Sequence, residues 1–299
     1  MKIKMKTENI TTANNLEIDN ETVTQEKQVL RFTRLNRGLH FFMILSFLNL
    51  ALSGMTLKFS YTGWARFLSS LYGGFESAGY LHRFSALVMV TVFIIHIVDL
   101  IKNKRKEAGS FKALIIGPRS MMFNKKDLND FIGSIKWFLG KGERPEYGRW
   151  TYWEKFDYFA VFWGMIVIGS TGFILWFPEF FTLFIPGFMI NVATIIHSDE
   201  ALLATGFIFT VHFFNTHLRP EKFPMDVCIF TGRVPLEEFK LDRPKEYEEI
   251  VRNGVLNKYL IEAYPPIVLK AIKLFGWTVL IIGFSMIIWI IYAMIFAYR

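Results

Sequence analysis

Six histidines carry the chemistry open to this chain: His40, His82, His96, His197, His212 and His217. All lie inside or at the ends of strongly apolar stretches, and the long charged loops contain none. An ionisable group in hydrocarbon is costly and by default marks a functional site. His82 and His96 stand 14 residues apart on one stretch, and His197 and His212 stand 15 apart on another. At about 100° per residue, 14 helical steps return to within about 40° of the start, and 15 steps to within about 60°. Each stretch therefore presents two imidazoles on roughly one face, about 21 to 22 Å apart along the axis. A neutral imidazole is a strong ligand for haem iron, and helices with facing histidines can hold two stacked haems. The spacing predicts a b-type arrangement. Its haems would be held non-covalently, since no Cys-x-x-Cys-His attachment motif is present.

The elements that must position these residues are membrane helices. The chain has 299 residues, 52% of them hydrophobic and 17% aromatic, a profile too apolar for a soluble enzyme. Stretches near Leu39–Leu57, Leu81–Ile101, Phe156–Phe177, Ile190–Leu218 and Ala271–Ala297 are each long enough to span a bilayer. The expected fold is an all-α transmembrane bundle of about five spans: a four-helix haem-binding core plus one extra C-terminal helix. The fourth stretch is interrupted by Ser198-Asp199-Glu200, and the fifth contains no histidine, Asp or Glu, which suits a packing helix.

The basic residues give an orientation. Between Ile101 and Phe156 there are 13 Lys/Arg and between Leu218 and Ile272 there are 9, whereas Phe156 to Leu218 has none. The positive-inside rule then places the N-terminus and both long loops in the cytoplasm and the C-terminus outside, in a bacterial-type inner membrane. The net charge of +8 follows from this asymmetry and does not point to nucleic acid. The first 37 residues are polar and read as lacking a cleavable signal. Residues 1–30 read as a mobile cytoplasmic tail, 31–250 as the membrane domain with its loops, and 251–299 as a linker and fifth helix. The single cysteine, Cys228, excludes a disulfide framework within one chain. Leu128, Phe131, Ile132, Ile135, Phe138 and Leu139 form a helical apolar stripe that suits either the inner membrane surface or packing beneath the bundle.

The spans beginning at Leu81 and Ile190 run in one direction, which puts His82 and His197 at the outer end and His96 and His212 at the inner end. Depth agrees: His96 lies six residues before Lys102 and His212 seven before Arg219. Arg83 at the outer side, and Arg34 and Arg37 at the inner side, are candidate partners for haem propionates, although each also suits a topology-setting role. Gly206, between the two histidines of the fourth span, and Gly164, Gly169 and Gly172 of the third would let a flat macrocycle approach the backbone. A non-haem carrier using the histidines for proton or metal-ion passage is the alternative from another class. A relay needs closer steps than about 20 Å on one helix, and the matched spacings favour haem. A stand-alone quinol-linked oxidase is a third reading.

The chain resembles the di-haem cytochrome b (gamma) subunit of respiratory formate dehydrogenase and the related cytochromes of nickel-iron hydrogenase and thiosulfate reductase. The likeness rests on His40 followed by Ser53-Gly54, on Leu81-His82, and on the run Thr171-Gly172-Phe173-Ile174-Leu175-Trp176-Phe177-Pro178. It extends through Gly232-Arg233-Val234, Arg243-Pro244 and Tyr247-Glu248-Glu249-Ile250, covering roughly residues 31–250. The resemblance implies two haems b and electron transfer between a quinone in the membrane lipid and a redox partner such as a multihaem cytochrome, a hydrogenase or a formate dehydrogenase. It implies His82 and His197 as outer ligands, His40 and His212 as inner ligands, and a quinone site near Glu154 and Lys155. Three features depart from the family pattern: the additional His96, the fifth span, and a His197–His212 spacing one residue longer. His40 and His96 therefore compete as the partner of His212, with His40 preferred on the order of motifs. A third haem on His40 and His217 is the outside alternative.

Overall fold

The computed structural model describes residues 27–297 except 220, 221 and 224. Five helices are long and apolar enough to cross a membrane: α1 (Arg34–Lys58), α3 (Phe75–Asp99), α6 (Tyr152–Trp176), α7 (Phe188–Phe207) and α10 (Pro266–Tyr292). Between them lie α2 (Gly63–Tyr72), α4 (Phe111–Ile116), α5 (Lys125–Phe138), α8 (Leu236–Asp242) and α9 (Pro244–Arg252). The chain is an all-α, multi-pass membrane protein. A 25-residue helix such as α1 runs about 38 Å, enough to cross a hydrocarbon layer of about 30 Å. The spans extend past the apolar stretches by several residues, because polar caps outside the hydrocarbon begin the helices. Thr33 and Asn36 form a reciprocal cap on α1, and Thr151 and Glu154 do so on α6. Ser198-Asp199-Glu200 does not interrupt α7. Lys58 at the end of α1 donates to Ser198 Oγ (3.0 Å) and Asp199 Oδ1 (3.1 Å), and Trp163 Nε1 donates to Glu200 Oε2, so each polar group has a partner while the Asp199 carboxylate stays exposed.

Three of these helices continue through π turns, α3 at Leu100–Lys104, α7 at Ile208–His212 and Phe214–Leu218, and α10 at Ala293–Ala297. α1 packs along α3 and α7 along α6, which makes two antiparallel pairs with their inner faces towards each other. α10 is keyed into the bundle. Its Gly283 lets Phe209 lie against the backbone, Trp289 stacks on Trp64 of α2 (centroids 5.6 Å apart), and Leu280, Met286 and Ile290 join Met55 and Phe213 in the main core. The fifth helix is thus a packing element.

One end of the bundle carries a cap. Three short antiparallel strands, β1 (Gln28–Leu30), β2 (Arg233–Pro235) and β3 (Leu260–Ile261), pair in the order β2-β1-β3, with Val29 opposite Val234 and Leu260. Val29, Cys228, Val234, Phe239 and Ile250 form the cap's own core. Residues 27–30 of the expected tail are therefore structured, the linker after 251 contributes a strand, and residues 1–26 lie outside the described residues. Burial pushes the Cys228 thiol up to about 12, as suits an inert core residue. The apolar stripe of α5 is exposed, from Ile132 at 42% to Phe138 at 77%, so it faces away from the protein. That exposure favours membrane-surface contact over packing beneath the bundle.

Candidate functional site: a histidine-lined cavity

A single cavity of about 2510 Å³ runs between α1, α3, α6 and α7 and is lined by all six histidines. Pockets for drug-sized ligands measure about 300–1,000 Å³, so this space has room for a larger occupant. Its wall is otherwise mostly apolar and aromatic.

At the end far from the cap, His82 of α3 and His197 of α7 face each other, with ring centroids 6.2 Å apart and planes at 73°. Two imidazole–metal bonds of about 2 Å each, together with the half-widths of the two rings, come to about 6 Å. Each Nδ1 is already anchored. His82 Nδ1 meets Ser53 Oγ at 3.0 Å, and His197 Nδ1 meets the Ile168 carbonyl at 3.0 Å and Thr171 Oγ1 at 3.4 Å. Such second-sphere bonds fix the tautomer and leave Nε2 to bind metal. Two glycines make room for these rings. A Cβ at Gly54 would stand 3.2 Å from His82 Cε1, and one at Gly172 would stand 2.8 Å from His197 Cε1. These residues belong to the two motifs, Ser53-Gly54 and Thr171-Gly172, quoted from the sequence. Gly206 and Gly169 instead have open space where a Cβ would project. Arg83 lines the same end of the cavity, its guanidinium 4.9 Å from the Tyr80 ring and 6.0 Å from Trp176.

At the cap end, His212 Nδ1 lies 3.0 Å from Asp157 Oδ2 of α6. His40 lies within electrostatic reach of His212 and His217. The Nδ1 atoms of His40 and His217 are buried without a hydrogen-bond partner. His96 is placed differently: its Nε2 is bonded to Tyr158 Oη at 2.9 Å, and its ring packs on Tyr158 and Phe162. Asp157 and Tyr158 are successive residues and point about 100° apart around α6. The histidines they hold are therefore on different sides of that helix, His212 with α7 and His96 with α3. The 15-residue interval from His197 to His212 runs into the π turn Ile208–His212, whose i→i+5 bonding accommodates one more residue in the turn. That brings His212 closer to the His197 face than 15 regular steps would.

Glu154 and Lys155 are both engaged in structural contacts, Glu154 with the cap and Lys155 with the start of α5. Glu154 Oε2 accepts from Thr151 N (2.8 Å) and Oγ1 (2.9 Å), while Oε1 accepts from Arg243 Nη2 (2.8 Å). Lys155 Nζ is buried against Asp127 Oδ2 (2.9 Å) and the Met122 carbonyl (3.2 Å). Of the inner arginines, Arg34 is exposed, and Arg37 Nη1 donates to the Thr231 carbonyl and Tyr264 Oη. Neither lines the cavity: Arg34 faces outward, and Arg37 is engaged by the cap. Arg219 does line it, stacked 4.8 Å over Trp153 with its Nε buried and unpartnered, and it was not singled out from the sequence. Asp157 and Tyr158 were missed as well. Asp157 had a signal, being the one carboxylate between Phe156 and Phe177.

Among the described residues, no three His, Cys, Asp or Glu side chains converge as a compact metal-ion site. The histidines stand instead as one facing pair, His82 with His197, two singly anchored rings, His96 and His212, and two rings whose Nδ1 has no partner, His40 and His217. Compared with models of protein families and with curated proteins, the chain matches none.

Proposed function

We propose that the chain is a membrane b-type cytochrome that carries electrons between a quinone and a partner redox protein through two bis-histidine haems. The observation that carries this reading is the His82–His197 pair. Its 6.2 Å centroid separation, anchored Nδ1 atoms and two glycine clearances prepare both imidazoles for one metal between them. Ligated haem supplies one-electron chemistry, at a potential set by its ligands and their hydrogen bonds. In this reading His82 and His197 hold the haem at the far end, and Arg83 offers a cation for its propionates. His212 holds the haem at the cap end with His40 opposite, because His96 Nε2 is committed to Tyr158. Arg219 replaces Arg34 and Arg37 as the propionate partner there. His217 stays an unassigned cavity-wall residue.

The positive-inside rule puts the cap in the cytoplasm and the far end outside, in a bacterial-type inner membrane, where the redox partner would dock. For the quinone, a proton-relaying role does not suit Glu154, whose two oxygens are engaged in capping α6 and in binding Arg243. The polar pair in the apolar wall is His96 with Tyr158, a hydrogen-bonding unit of the kind a quinone oxygen needs within reach. The test is to add a quinol to the purified, oxidised protein and follow the haem α band. Quinol-dependent reduction is expected, slowed at least tenfold in Tyr158→Phe with unchanged haem content. A haem-free protein would return the site to a proton or metal-ion carrier.

A further inference from the structure

We propose that Asp157 is a positioning residue that makes the cap-end haem site chemically unlike the far-end one, by placing a carboxylate behind its ligand His212. This rests on the haem reading above. The histidines differ in what holds Nδ1. His82 has a hydroxyl, Ser53 Oγ at 3.0 Å, and His197 has a carbonyl, that of Ile168 at 3.0 Å. His212 alone has a carboxylate, Asp157 Oδ2 at 3.0 Å, and the opposite candidate, His40, has an orphaned Nδ1. A carboxylate accepts only, so Nδ1 of His212 is the donor and Nε2 is left as the lone-pair nitrogen towards the cavity.

The consequence is electronic as well as geometric. A hydrogen bond from a ligating imidazole to a carboxylate raises the ligand's basicity and transfers electron density towards the metal. More density on iron stabilises the oxidised state, so the cap-end haem has a lower potential than a neutral acceptor would give it. Asp157 is partly buried, its side chain 13% exposed, and so little water weakens that interaction. The remaining oxygen, Oδ1, is buried with no hydrogen-bond partner. The carboxylate's protein hydrogen bond is thus directed at His212 alone. An acidic residue in a membrane helix is costly, and Asp157 has no Lys or Arg partner among the described residues, only the hydrogen bond with His212.

The experiment is a potentiometric titration of the α band in the purified full chain, with haem content measured first. In Asp157→Asn, one haem midpoint is expected to rise and the other to stay, and Asp157→Glu should move the shifted one back. Should Asp157→Asn shed one haem, through the roughly 10–100-fold loss of affinity typical of second-sphere changes, Asp157→Glu should retain it. Haem present with both midpoints unmoved in Asp157→Asn would overturn the proposal and leave the cytochrome reading standing. Haem lost equally from both variants would overturn it too. A haem-free unmodified protein would sink the cytochrome reading itself.

Discussion

Replacing His82 or His197 by Ala removes one of two facing imidazoles, and either change should cost one haem while the other, about 21 Å away along the helix, is kept. Pyridine haemochrome per chain, read as two falling to one, checks this. Gly172→Leu should have the same effect without touching a ligand, because even a Cβ there would press within 2.8 Å of the His197 ring. A Gly172→Leu protein with full haem content would refute the steric argument. At the cap end the variants part: His40→Ala should lose one haem and His96→Ala none, since only His96 already spends its Nε2 on a tyrosine. A haem lost from His96→Ala alone would reverse that assignment. The far-end pair was legible in the sequence because spacings of 14 and 15 residues mark a helix face and a depth, although the π turn ending at His212 was not. The partners of the histidines were not. Ser53, Ile168 and Asp157 lie on neighbouring helices, and helix period says nothing about which residues of two helices meet.

The helices themselves were legible from apolar length, and the polar work at their ends was less so. Glu154 reads from the sequence as a carboxylate at a membrane edge, which suits proton transfer. In the structure it caps α6 and holds Arg243, a residue 89 positions away that no local pattern could connect to it. Glu154→Gln should therefore destabilise the cap by about 1–3 kcal/mol, the cost of a part-buried charged hydrogen bond, with little effect on quinol oxidation beyond any loss of folded protein. Thermal unfolding and quinol kinetics on one preparation separate the two effects. Within the cap, burial pushes the Asp242 carboxyl up, but Lys222 Nζ at 2.6 Å, together with Arg243 and Arg219, outweighs it and holds the group below its ordinary 3.8. A depressed carboxyl contributes stability that is complete above the unfolded value and lost as pH falls through the folded one. The cap should accordingly resist acid to below about pH 4, and Lys222→Met should move its loss to higher pH, measured by hydrogen exchange in β2 and α8. For α10, Gly283→Leu would drive a side chain into Phe209, costing about 1–3 kcal/mol as overpacking does. An unchanged unfolding temperature would show that α10 is not the packing element described.

Across the whole molecule, four helices enclose one apolar cavity, a fifth braces them, and a charged cap closes one end. The histidines enter that cavity at two depths, so the scheme depends on two metal centres stacked across the bilayer. Helix length leaves room for such stacking: a span of about 30 Å accommodates two levels separated by about 20 Å, each close to one surface. The cap's small sheet escaped the sequence, because strands of two or three residues are too short to show a period. The most direct test of the central claim is the haem b content of the purified, unmodified chain by pyridine haemochrome. The account predicts two haems per chain. A value of none would contradict it outright, and a value of three would reject the two-haem arrangement by requiring His217 or His96 as a further ligand.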